Sequence, residues 1–156
     1  NTVYDVGGTI FNAMQLLAEG VLNVWTVNLP NTPSFEFYEW CIDNEWVVNK
    51  CNIVAPTDEE MSGEEFCVFA EFFEHFPNVD KVFASFAKAR TILAANAFCV
   101  AAHGHYIPIV VGGISWYDRT SANLAFLTLL EKNGFTNTEV VYKQKYIVLS
   151  TRNSSA

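Results

Sequence analysis

A chain of 156 residues suits one domain and is long enough to bury a sizeable core. Half of it is hydrophobic and 15% aromatic, which excludes a disordered chain. Only 17% is charged, which points to a surface shared in a homo-oligomer or a larger assembly, and a net charge of −8 with no basic stripe among nine Lys and Arg disfavours nucleic acid as a partner.

No apolar run reaches the roughly 18 residues of a membrane span, and no signal-peptide pattern is present. Cys41, Cys51, Cys67 and Cys99 form no Cys-x-x-Cys pair, so a structural zinc site is not indicated, and a reduced, cytoplasmic protein is the simplest expectation. The sequence opens at Asn1 without Met, as expected of a processed, trimmed or partial chain.

In chain order, residues 2–6 read as a strand and residues 9–19 as a helix whose apolar face is Ile10, Ala13, Met14 and Leu17, stopped by Gly20. Residues 21–29 read as a second strand, and Pro33 or Ser34 starts a helix that runs to about Asn44. A third strand covers residues 50–55, followed by an acidic loop over 57–65. Residues 66–70 are all apolar, as in a strand buried on both faces of a parallel sheet, and Glu71, Glu74 and His75 stand at its C-terminal end. Asn78 caps a helix in which Val79, Val82, Phe83, Phe86 and Arg90 share one side and which ends near Asn96; residues 97–101 are then the fifth strand. Residues 103–120 form a long connection, and loops of that length are often functional. Thr120 or Ser121 caps a helix carrying Leu124, Leu127 and Leu130 and stopped by Gly134. Residues 138–142 and 145–150 form an end hairpin, and 151–156 a polar tail. Strands alternating with helices predict an α/β fold, and a strand–helix–strand unit with polar residues at the strand's C-terminal end is where open parallel sheets bind ligands.

Four segments, in order, carry a resemblance to a known family. Val3-Tyr4-Asp5-Val6-Gly7-Gly8-Thr9 looks like a first strand and glycine loop. The run from Glu65 to His75 resembles a fourth strand that ends in Leu-Glu-His, residues 91–97 resemble the helix end before strand five, and the Gly134-Phe135 stop resembles that of a last helix. Together these resemble the class I S-adenosylmethionine-dependent methyltransferases over nearly the whole chain. The resemblance implies a single methyltransferase-like domain over residues 1–150. Its fold would be a Rossmann-like, mostly parallel sheet with helices on both faces and a C-terminal antiparallel hairpin.

It also implies site residues. Asp5 and Gly7 match the family's Asp/Glu-x-Gly-x-Gly-x-Gly pattern, Gly8 lies in the same turn, and Thr9 and Phe11 stand where further glycines are usual. Glycines there let the backbone approach a ligand at a helix N-terminus; the plainer reading is an ordinary strand-to-helix turn. Asn28 stands where the family has an acidic residue for the ribose, or else simply starts the turn at Pro30. The resemblance implies that Asp58 or Glu59 accepts from the adenine amine, Asp58 being the better match, while the plainer reading of this charge is a solvated acidic loop; it places Glu71 at the strand mouth toward the methionine end of the cofactor. His103 and His105 follow strand five, where a His takes a proton from a substrate hydroxyl or amine; most loop histidines do neither this nor metal binding, and no third metal ligand is evident. Trp116 and Tyr117 would wall an acceptor pocket and Gly112-Gly113 would let that loop bend. The implied function is methyl transfer from S-adenosylmethionine to a small molecule or glycan. The alternatives are a catalytically inactive methyltransferase-like domain serving as a binding or assembly module, and a piece of a longer enzyme.

Overall fold

The computed structural model describes residues 2–46, 51–54, 66–70, 72–96 and 108–153. Five parallel strands, β1 (Thr2–Val6), β2 (Asn23–Val27), β3 (Cys51–Val54), β4 (Phe66–Ala70) and β5 (Thr91–Ala95), are joined by a hairpin of β8 (Asn137–Tyr142) and β9 (Ile147–Thr151). The order is β3-β2-β1-β4-β5-β9-β8, with β9 antiparallel to β5. A short hairpin of β6 (Ile109–Val111) and β7 (Ile114–Trp116) makes a second sheet.

Strand alternation sends side chains to two faces, and each face has its own core. Val24 packs with Ile10 and Ala13 of α1 (Ile10–Ala18) and with Tyr38 and Cys41 of α2 (Pro33–Asp43). On the other face Tyr4, Val6, Cys67 and Phe69 meet Val79, Val82 and Phe83 of α3 (Val79–Ser85) and Ala122, Phe126 and Leu130 of α4 (Arg119–Lys132). Phe69 sits at the centre of that core, with the rings of Phe72, Phe73, Phe83 and Phe86 at 5.5, 5.1, 5.6 and 5.5 Å. Burial of one such ring stabilises by about 1.5–3 kcal/mol.

Caps set the helix ends. Thr9, Thr32, Asn78 and Asp118 accept from backbone N–H groups in the first turns of α1 to α4. Gly20 and Gly134 stop α1 and α4 in the left-handed conformation, at φ 98° and 88°. After each, the next residue's N–H reaches back, from Val21 to Leu16 O and from Phe135 to Leu130 O.

Several boundaries differ from the sequence reading. α3 ends at Ser85, not near Asn96, and Thr91–Ala95 is β5 itself rather than a helix end. A short apolar run is read equally well as buried helix or buried strand; here Ile92 and Ala94 alternate inward and pair with β4. Met14 is exposed although it was placed on the apolar face of α1, and Leu16 packs inward instead. The cap of α4 is Asp118 rather than Thr120 or Ser121. The polar tail begins later than residue 151: Thr151 closes β9, and Arg152 donates to the carbonyls of Phe86, Ala89 and Asn133. The expected strand over 97–101 and the acidic loop over 57–65 lie outside the described residues.

Candidate active site

The strand order turns back between β1 and β4, since β2 and β3 lie to one side and β5 to the other. That reversal opens a crevice at the C-terminal ends of β1 and β4, the place where open α/β sheets bind ligands. Three segments meet there: the turn after β1, Asn28 after β2, and Phe72 after β4.

The turn is built around Asp5. Its carboxyl is buried on the α1 and α2 side of β1, in register with Thr26 and Val68. A Cβ at Gly8 would fall 1.8 Å from Asp5 Oδ2, so only glycine at position 8 lets the carboxyl lie under the turn. Oδ2 has no hydrogen-bond partner among the described residues. Burial raises the Asp5 pKa from 3.8 to about 6, and a hydrogen bond from the Asn12 side chain pulls it partly back. Gly7 takes φ 73°, and its N–H donates to Val27 O at 2.7 Å, which pins the turn to β2.

Asn28 closes the turn from the other side. Its Nδ2 donates to Gly8 O at 2.9 Å and its Oδ1 accepts from Leu29 N at 2.8 Å. A carboxylate at this position has no N–H for the Gly8 carbonyl, so the amide serves the turn in a way an acidic residue does not. Thr9, where the family pattern has glycine, is extended at φ −125°, and its Oγ1 accepts from Asn12 N at 3.4 Å as the cap of α1. Phe72 lies over Gly7: a Cβ on Gly7 would meet the ring at 2.8 Å, and the ring stacks on Phe76 at 4.3 Å.

The structure thus brings Asp5, Gly7, Gly8 and Asn28 together at one sheet edge. Asp58, Glu71, His103 and His105 lie outside the described residues. Glu74 is largely buried and His75 exposed, with His75 Nε2 3.6 Å from Glu74 Oε1. One expectation for the long connection is corrected. Gly112 and Gly113, at φ 56° and 82°, are the two-residue turn of the β6–β7 hairpin, packed on Leu129 and Pro77, and not a free bend. Tyr117 is 67% exposed and stands outside the cavity that Trp116 lines. Trp116 does line a cavity of about 420 Å³, with Val111, Ile114, Leu124 and Leu129, between the hairpin and α4. That cavity shares no residue with the crevice. Phe72 and Asn12 were missed in the sequence reading: an aromatic two residues past a strand and an amide in a first helical turn carry no motif.

No protein-family model matches the chain, and no curated protein sequence matches it significantly. Solved structures do match in fold. The N-terminal domain of EvdMO1, solved with SAH bound, superposes with a TM-score of 0.66 at 12% identity, over 98% of this chain and 75% of that one. NcsB1, an O-methyltransferase from neocarzinostatin biosynthesis solved with S-adenosylmethionine and 2-hydroxy-5-methyl naphthoic acid, gives 0.62 at 14%, over 99% of this chain and 49% of that one. SibL, an S-adenosylmethionine-dependent methyltransferase in its apo form, gives 0.61 at 18%, over 97% and 50%. The chain spans about half the length of NcsB1 and SibL. It has the fold of the class I S-adenosylmethionine-dependent methyltransferases.

Proposed function

We propose that the chain is an S-adenosylmethionine-dependent methyltransferase acting on a small molecule or glycan in the cytoplasm. One observation carries the reading: a glycine turn at the sheet's reversal point, resting on a buried carboxyl whose Oδ2 has no hydrogen-bond partner among the described residues. Such a carboxyl is costly for the fold alone, and groups kept at a cost cluster at functional sites. The solved neighbours that hold S-adenosylmethionine or SAH add support by analogy of fold.

The residues present fit such a ligand. Gly7 and Gly8 carry no side chain of their own at the start of α1, and the Phe72 ring and the Asp5 carboxyl occupy the space where a Cβ would lie. Asp5 sets its buried carboxyl directly beneath that backbone. Asn28 keeps the turn closed while one of its amide hydrogens stays available to a hydroxyl. Asp58 and Glu71 would contact the adenine and methionine ends. S-adenosylmethionine, when bound, supplies the methyl group. The protein then positions the acceptor, and His103 or His105 takes the acceptor's proton. The net charge of −8 supports a small, non-nucleic acceptor.

A second reading has its own observation. The Phe72 ring lies against Gly7 and both polar ends of Asn28 already serve the turn, as in a methyltransferase-like module without catalysis. Calorimetric titration separates the two. The enzyme reading expects saturable heat from both S-adenosylmethionine and S-adenosylhomocysteine; heat from neither hands the lead to the module.

A further inference from the structure

Residues 1–49 hold six carboxylates and no Lys, Arg or His; the first basic residue is Lys50. This stretch builds the whole α1–α2 layer, which turns Ile10, Ala13, Tyr38 and Cys41 to the sheet. Its outer side is aromatic. Phe11, Phe37, Trp40 and Trp46 form an unbroken row, ring to ring at 6.3, 6.4 and 5.2 Å. They are 68%, 43%, 47% and 68% exposed, so the row covers no core. Glu36, Glu39, Asp43 and Glu45 stand exposed on the same helix and its end, and no ion pair reaches them among the described residues.

The local fold accounts for only part of this. α2 ends with Glu45 N–H donating to Ile42 O and Trp46 N–H to Cys41 O, a stop that folds Trp46 back toward Trp40. That stop leaves both rings in water. It also sets Glu45 at φ 57°, a left-handed conformation where glycine is the unstrained choice. A carboxylate is kept there against the local preference, beside three others.

We propose that the outer face of α1 and α2 docks a basic amphipathic segment of a different polypeptide. Its apolar side chains would cover the ring row, and its Lys or Arg side chains would meet the four carboxylates and the faces of Trp40 and Trp46. Large exposed apolar patches mark interaction sites, and Trp is the residue that most often dominates binding energy. Charge selects the occupant. A second copy in a two-fold pairing sets this face against itself, four carboxylates against four with no cation on α1 or α2 between them. Anionic membrane and nucleic acid are repelled for the same reason. The inference does not depend on the enzyme reading.

The test uses the whole chain and a labelled synthetic helical peptide with one Leu face and one Lys face. Its counterpart with Glu in place of Lys serves as control. Fluorescence anisotropy follows binding, and circular dichroism checks that each variant folds, which exposed positions should allow. The Lys peptide should bind, weaken as salt rises, and lose roughly tenfold or more in affinity both in Trp40→Ser/Trp46→Ser and in Glu36→Gln/Glu39→Gln/Asp43→Asn/Glu45→Gln. The Glu peptide should not bind. Equal binding of the Lys peptide to wild type and either variant overturns the proposal, as does no binding to wild type. So does a wild-type dimer in sedimentation that Trp40→Ser/Trp46→Ser converts to monomer, because the face then belongs to a second copy.

Discussion

At the scale of single residues, the crevice is governed by one acid. Asp5 is held protonated more readily in the folded chain than in the unfolded one, because burial raises its pKa from 3.8 to about 6. The folded state therefore binds the extra proton between those values, and the stabilisation it brings is lost as pH rises through about 6. The loss amounts to about 3 kcal/mol by neutral pH. Asp5→Asn removes that dependence. Urea denaturation should show the variant more stable than wild type at neutral pH, with the difference shrinking toward about pH 4. S-adenosylhomocysteine binding should fall in the same variant, a gain in stability set against function. Identical pH dependence in the two proteins would mean that Asp5 carries no such penalty. Asp5 and Gly7 were legible in the sequence because the turn resembles a family pattern. The need for Gly8 was not, since it arises from a side chain three residues back that folds under the turn.

At the scale of elements, α3 has only seven residues, short for a helix to stand alone. Its C-cap and the turn that follows are held from outside. Arg152 donates from Nε to Ala89 O at 2.6 Å and from a terminal nitrogen to Phe86 O at 2.7 Å, reaches Asn133 O at the end of α4, and lies 4.5 Å from the Phe135 ring centre. A cation at two helix C-termini also meets the negative ends of their dipoles. Arg152→Ala should cost on the order of 3 kcal/mol in urea denaturation. Arg152→Lys should recover less than half, because an ammonium lacks the planar fork. A loss under about 1 kcal/mol would reduce the clamp to a surface contact. This clamp explains why β5 was read as helix. Nothing within residues 86–96 announces the break, which depends on an arginine some sixty residues later. The strands β1 and β4 and the helices α1 and α2 were legible from their apolar residues and stop signals; α4 was legible from its stop at Gly134, but its core face is Ala122, Phe126 and Leu130, with Leu124 exposed. The β6–β7 hairpin was hidden inside a long connection, although its Gly112-Gly113 pair is a hairpin turn signal.

At the scale of the molecule, the sheet places two unlike surfaces on one layer. The crevice opens at the strand ends beside the first turn of α1, and the aromatic, acidic row starts at Phe11 in that same turn. The topology that creates the crevice was legible from the order of elements together with the resemblance. The central claim, that this crevice takes an S-adenosyl ligand, is tested most directly by amide hydrogen exchange with and without saturating S-adenosylhomocysteine. Ligand in the crevice should slow exchange in the segment from Gly7 to Asn12 and around Asn28 and Leu29, and leave the β6–β7 hairpin and the outer face of α2 unchanged. Unchanged exchange at Gly7 to Asn12, or slowing confined to another part of the molecule, would contradict it.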